Sequence, residues 1–527
     1  MQVSRSLFDL TPIAANVLRI LFVCLLVPLV GCATDEAPNA DETRAFDEPS
    51  RPQFHFSPAK NWMNDPNGMV YHAGEYHLFY QYNPFGEKWG HMSWGHAVSP
   101  DLVNWEHLPV ALYEEDGVMI FSGSAVVDHQ NTSGFGTPDN PPMVAIYTGH
   151  EENVRQTQHI AYSTDNGRNW TKYADNPVID LNMKDFRDPK VFWHDDTDRW
   201  IMVVALPREY KVQLYASPDL KAWTFLSDFG PAGSTDGIWE CPDLFELPIE
   251  GEAGSRWVLE VDIGSGAIAG GSGGQYFVGT FDGTTFTNDN PDDLTLWVDY
   301  GADFYAGVSW ADIPEADGRR IFLAWMNNWQ YAQDIPTSPW RSAQSLPRTL
   351  QLRNTPDGLR LTQRAVRELQ GLRSDALVAD ESMRITSEAV IPGAEAELLE
   401  FSGTLQLNDA TAAGLTIRHG DGDKKTLIGY DAAREVIYVD RTQSGISDFH
   451  EDFAAIHEAP LKLADGTLSL HVFVDRSSVE VLADGGLVSI TDRIFPEEET
   501  HALELWANEG AVDASAVSVW SLNSIYE

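Results

Sequence analysis

Cysteine is scarce, with three in 527 residues. Two of them, Cys24 and Cys32, sit in or just after an apolar N-terminal run. Only Cys241 is left to a folded body, so no intramolecular disulfide can brace it. No His–Asn pattern accompanies Cys241 as a catalytic thiol would require, and it reads as a small apolar residue packed under Glu240. Basic residues are also few. Lys and Arg number 35 against 79 Asp and Glu, a formal charge of −44. That excludes nucleic acid and anionic lipid surfaces as partners and fits a neutral ligand. No apolar run approaches the roughly 20 residues a membrane-spanning helix needs. Metal and phosphate signals fail in turn. His91 and His96 lack helical spacing and a third ligand. Asp195, Asp196 and Asp198 read as a hairpin turn, not a calcium loop. The glycines between 264 and 274 precede no Lys-Ser/Thr and open no helix. Neither a metal nor another cofactor is expected.

The N-terminus carries Arg5 and Arg19, then an apolar run over 20–30, then Leu29-Val30-Gly31-Cys32. This resembles a bacterial lipoprotein signal spanning 1–31, cleaved before an acylated Cys32. Residues 32–52, rich in Asp, Glu, Ala and Pro, read as a flexible tether. The expectation is an exported protein anchored to a membrane by lipid alone.

From 53 to 350 the chain reads as short strands between turns. Apolar, β-branched or aromatic runs such as 143–147, 200–205 and 257–261 are bounded by turn residues. A longer period overlies them. Ser99-Pro100-Asp101-Leu102-Val103-Asn104-Trp105 is echoed at Ser163–Trp170, at Ser217–Trp223 and, degenerately, at Thr280–Phe286. The closing aromatics recur about every 60 residues, enough for one four-stranded propeller blade with its loops. Some 300 residues then hold five blades. Residues 351–379 read as a linker in which Val366, Leu369 and Leu372 mark one short helix. From 380 to 527 alternation returns, as in 467–475 and 478–482, with Asp-Gly and Gly-Gly turns at 421–422 and 485–486. The expected fold is all-β, a five-bladed β-propeller followed by a C-terminal β-sandwich.

Three acidic sites stand out within the propeller region. Asn61-Trp62-Met63-Asn64-Asp65-Pro66-Asn67-Gly68 reads as a strand ending in a polar turn, with Asp65 at its rim. Phe186-Arg187-Asp188-Pro189 sets a second carboxylate beside a proline, and Trp239-Glu240-Cys241-Pro242 sets a third among apolar neighbours. These segments, with those at 81–84, 121–124, 303–306 and 325–329, resemble glycoside hydrolase family 32, the β-fructosidases. The resemblance independently implies a five-bladed propeller. It implies Asp65 as nucleophile, Glu240 as general acid and then base, and Asp188 as transition-state stabiliser. A retaining mechanism sets nucleophile and acid about 5–5.5 Å apart. The neighbours of Glu240 favour a raised pKa, and Asn64 and Asn67 favour an ionised Asp65.

The remaining motif residues suit a small neutral sugar. Asn64, Gln81, Arg187 and Asp303 offer hydrogen bonds to hydroxyls, Trp89, Phe121 and Trp325 offer apolar walls, and Ser122 adds a hydroxyl. Resemblance to the family is weaker in the second domain, resting on 474–481, and no catalytic constellation is visible there. The expected activity is exo-acting release of terminal fructose from fructan, with sucrose as a further substrate. The segment 110–122 is similar to that of levanase-type members, which favours β-(2→6) linkages. A sucrose-preferring invertase, an endo-acting fructanase and a non-catalytic fructan-binding protein are the competing readings.

Overall fold

The computed structural model describes residues 46–420 and 422–526. The expected signal over 1–31, the lipidation site Cys32 and most of the tether lie outside the described residues. The tether does not extend to Pro52 as expected. By Phe46 the chain is packed against the body, with that ring stacked on Tyr526 at 4.3 Å. Arg51 is fully buried, donating to Ser57 Oγ at 3.0 Å and lying 4.6 Å over the Trp340 ring.

Five antiparallel sheets of four or five strands follow. Their first strands are Asn61–His72, Val118–Val127, Arg187–His194, Trp239–Pro248 and Tyr305–Ser309. Each touches the first strand of the next sheet, and the fifth touches the first, so the five form a ring around a central axis. Trp340–Arg341 closes it by pairing parallel with Asn61–His72, while Ala343–Gln344 pairs into the fifth sheet. One short segment thus stitches the last blade to the first.

The Asp-Trp repeat has a local physical cause. In each of the first three blades it forms the turn between the third and fourth strands. Asp101 Oδ1 accepts the Val103 and Asn104 N–H groups at 3.1 and 2.8 Å. The Trp105 indole N–H caps the Leu102 carbonyl at 3.1 Å. Asp219 and Trp223 repeat the arrangement, and Asp165 with Trp170 a close variant. Burial opposes ionisation of Asp101 and Asp219, yet these N–H bonds hold both carboxyls below the usual range.

Two readings of the sequence are corrected here. Residues 348–355 and 358–365, largely within the expected linker, are strands of the fifth blade. The expected helix shrinks to a 3-10 turn over Arg367–Leu372 that buries Leu369 and Leu372. Apolar spacing of three serves a 3-10 turn as well as an α-helix, so periodicity alone did not separate them.

Two six-stranded sheets complete the chain as a β-sandwich, with Val472, Val481, Leu415 and Leu505 in the core between them. It docks on the fifth blade through buried ion pairs. Arg348 of that blade, held within the propeller by Asp299 at 2.9 Å, pairs with Glu480 of the sandwich, and Arg441 of the sandwich binds Asp303 at 2.6 Å.

Candidate active site

All five innermost strands carry an irregularity in pairing near their start. The register shifts between Met63 and Pro66, Ile120 and Gly123, Arg187 and Lys190, Glu240 and Asp243, and Tyr305 and Val308. A bulge turns a side chain that would otherwise lie along the sheet. In three blades one bulge residue is left-handed, namely Asp188 (φ 67), Cys241 (φ 46) and Ala306 (φ 54). The bulges stand at one level of the ring, so residues far apart in sequence face one depression. Pro66-Asn67-Gly68 belongs to this device. The expected turn is absent, and these residues continue the strand through a second shift between Asn67 and Val70. Turn-forming residues also suit bulges, which is why the sequence read as a turn.

The depression is a cavity of about 390 Å³ lined by Asp65, Asp188 and Glu240 among others. Asp65 accepts Ser122 Oγ–H on Oδ2 at 2.6 Å and Asn64 Nδ2–H on Oδ1 at 2.9 Å. Burial raises its pKa, these two bonds oppose the rise, and the charge of Glu240 adds to it. Asn67 does not reach the Asp65 carboxylate. It donates to the Asp65 backbone carbonyl at 2.7 Å and accepts the Gly123 N–H at 3.0 Å, tying the first blade to the second.

Asp188 accepts the Cys241 backbone N–H at 3.0 Å, and its own N–H donates to Thr148 Oγ1 at 2.9 Å. Burial pushes Asp188 up to about 7, with Arg187 opposing and Glu240 reinforcing. Glu240 is ion-paired with Arg187 at 2.9 Å and accepts a short hydrogen bond from the Tyr305 hydroxyl. Its side chain is 19% exposed against 6% for Asp188, leaving it the more open of the two to water.

Cys241 lies at the centre of the group, its thiol 3.7 Å from Asp65 and 3.8 Å from Asp188. Burial and then the surrounding carboxylates push that thiol well above its ordinary pKa. It remains an uncharged spacer between acids.

Of the other expected residues, Asn64, Gln81, Trp89, Phe121, Ser122 and Arg187 line the cavity. Gln81 also donates to the Ile120 carbonyl at 3.1 Å. Phe121 stacks on His150 at 4.2 Å and meets Trp89 edge-on. Two expectations fail. Asp303 is fully buried at the sandwich interface, accepting from Tyr331, Arg441 and the Arg493 N–H. Trp325 is fully buried among Trp62, Tyr305 and Trp329, its indole donating to Ser342. In both cases a nearby residue of the same segment faces the site instead. Tyr305 reaches Glu240, and Trp329 forms a wall. His150, Gln156 and Asp185 also line the cavity and went unnoticed, since nothing local marks them. Among the described residues no group of three His, Cys, Asp or Glu side chains is placed to hold a metal ion.

Comparison with known proteins accords with this arrangement. Residues 55–365 match the Glycosyl hydrolases family 32 N-terminal domain and 363–521 the corresponding C-terminal domain. The chain is 49% identical to a levanase of Bacillus subtilis over 515 residues, 96% of this chain and 75% of that protein. It is 42% identical to an extracellular exo-inulinase of Aspergillus niger over 521 residues, covering 91% and 96%. The crystal structure of an exo-inulinase from Aspergillus awamori superposes with a TM-score of 0.85 at 38% identity, over 91% of this chain and 99% of that one. A β-fructofuranosidase of Schwanniomyces occidentalis, solved with fructosyl-erythritol, gives a TM-score of 0.81 at 35% identity, covering 92% and 100%. The chain belongs to glycosyl hydrolase family 32.

Proposed function

We propose that the protein is a retaining exo-β-fructosidase that removes terminal fructose from fructans, levan foremost, with inulin and sucrose as further substrates. The observation that carries this reading is the meeting of Asp65, Asp188 and Glu240, from three blades, in one cavity walled by Trp89, Phe121 and Trp329. The relatives, named for levan and inulin hydrolysis, support it.

In the first step a carboxylate oxygen of Asp65 attacks C2 of the terminal fructose. Protonated Glu240 gives its proton to the bridging oxygen as the C2–O bond breaks. In the second step Glu240, now ionised, takes a proton from water, whose oxygen attacks C2 and frees Asp65 and fructose. Ser122 and Asn64 hold the Asp65 oxygens for attack. The greater exposure of Glu240 suits the group that exchanges protons with leaving group and water. Asp188, held by the Cys241 N–H, bonds sugar hydroxyls as charge develops at the ring.

We further propose export and acylation at Cys32. Incorporation of labelled palmitate that Cys32→Ser abolishes checks that part. For the activity, the protein is incubated separately with levan, inulin and sucrose, with Asp65→Ala as control, and products are separated by chromatography. Free fructose as the only early product from levan, absent in the control, is expected. Short oligosaccharides appearing first mean an endo enzyme, and cleavage of sucrose alone means an invertase. Sugar binding without any cleavage overturns the reading.

A further inference from the structure

The propeller holds more than the cavity of the three carboxylates. A second, of about 730 Å³, is lined by later residues of the same innermost strands, Val126 to Val127, Val191 to His194 and Leu244 to Glu246. The catalytic cavity uses the early residues of those strands, so the two open at opposite ends of one central axis. Between them lies a plug in which Lys190 donates to Asp243 Oδ2 at 3.0 Å and to the Ser309 carbonyl at 2.5 Å.

Lys190 and Asp243 of the plug form one wall of the second cavity. Asp243 is fully buried and its Oδ1 has no hydrogen-bond partner. That oxygen has no accessible surface, so it lies inside the plug and does not open into the cavity. Arg320 lies against the Phe245 ring at 5.3 Å, influenced by Asp243 and Glu246 at a distance but bonded to neither. Trp193 and Trp257 are only part-buried and face the space. The mouth carries Asp195, Asp196 and Asp312, which repel anions. No cluster of metal-ligand spacing occurs among the described residues. Aromatic faces beside a few polar groups of both signs, in a space larger than the catalytic cavity, suit a neutral polyhydroxylated ring.

We propose that this cavity is a second, non-catalytic carbohydrate site that takes a fructosyl segment of the substrate polymer or of another chain. The identity of the sugar rests on the proposed activity, whereas the site itself does not. Trp193 supplies a stacking face, and Arg320 bonds hydroxyls. Such a site holds polymer near the enzyme and contributes nothing to cleavage of a disaccharide.

Calorimetric titration of the Glu240→Gln enzyme with nystose, an inulin-type tetrasaccharide, tests this. Two sites per chain are expected, falling to one in Glu240→Gln combined with either Trp193→Ala or Arg320→Gln. In the otherwise wild-type enzyme, each of these two substitutions raises KM for levan about five-fold. KM for sucrose and kcat stay unchanged. Circular dichroism melting identifies a variant that fails to fold, and the other then decides. A stoichiometry of one in Glu240→Gln, or two sites that neither substitution alters, overturns the proposal. Failure of the wild type to cleave any fructan defeats the activity reading. Cleavage with a single bound nystose defeats only the second site.

Discussion

Replacing His55 with glutamine removes a charge from the joint between propeller and sandwich. The His55 ring lies 2.7 Å from Asp475 and 2.9 Å from Glu480, with all three side chains buried. Burial alone would neutralise the imidazole, but the two carboxylates outweigh it and raise His55 from 6.5 to about 9. The same contact, together with Arg348, holds Glu480 down from 4.5 to about 2 in spite of its burial. At 1.36 kcal/mol per pH unit, the His55 shift is worth about 3 kcal/mol. The two shifts describe one contact and are not added. A raised pKa means that the folded state binds the proton more tightly. His55 therefore contributes fully below pH 6.5, and the contribution is lost as pH rises through about 9. The Glu480 contribution is complete above pH 4.5 and lost as pH falls toward 2. Unfolding entropy of roughly 2 cal/mol/K per residue gives about 1 kcal/mol/K for a body of this size. His55→Gln should then lower Tm by about 3 °C at pH 6 and by less than about 1 °C at pH 10. Differential scanning calorimetry of both proteins across this range measures the gap. A gap that stays constant with pH, or widens above pH 9, refutes the reasoning.

Other consequences are as direct. Ser122→Ala removes the 2.6 Å bond that opposes the rise of the Asp65 pKa. The acid limb of kcat/KM should move to higher pH and the plateau fall roughly ten-fold, as a pH–rate profile on levan will show. Asp303→Asn breaks a fully buried pair with Arg441, for a loss of roughly 3–5 kcal/mol in denaturant unfolding with KM for sucrose unchanged. A rise in that KM without loss of stability would return Asp303 to the sugar site. The Cys241 thiol is buried and its pKa raised, so iodoacetamide at pH 8 should leave activity intact, and rapid inactivation with modified Cys241 would contradict that.

Fold class was legible in the sequence because its signals are local. Each Asp-Trp turn closes on itself through an Asp carboxylate that takes backbone N–H groups two to four residues ahead and an indole capping a carbonyl three residues back. A repeat of this kind is written into a handful of adjacent residues and recurs with the blade. The three carboxylates were legible too, through the family whose motifs carry them. Sequence alone thus determined the all-β architecture, its period, and the acids Asp65, Asp188 and Glu240 as candidates.

Tertiary structure decided where those side chains point and what they touch. Bulges at one level of five strands aim them inward, and a bulge uses the same Pro, Asn and Gly that a turn would. Hence the segment 64–68 looked like a turn and is a strand. Asp303 and Tyr305 are two apart in one segment, yet the first is consumed by Arg441 of the sandwich and the second reaches Glu240. Trp325 is enclosed by other aromatics, while Trp329 comes to the surface of the cavity. Both choices depend on partners more than 60 residues away or on packing from other blades, and neither leaves a trace in local spacing. The orphaned oxygen of Asp243 is of the same kind, since only the closed ring buries it away from water.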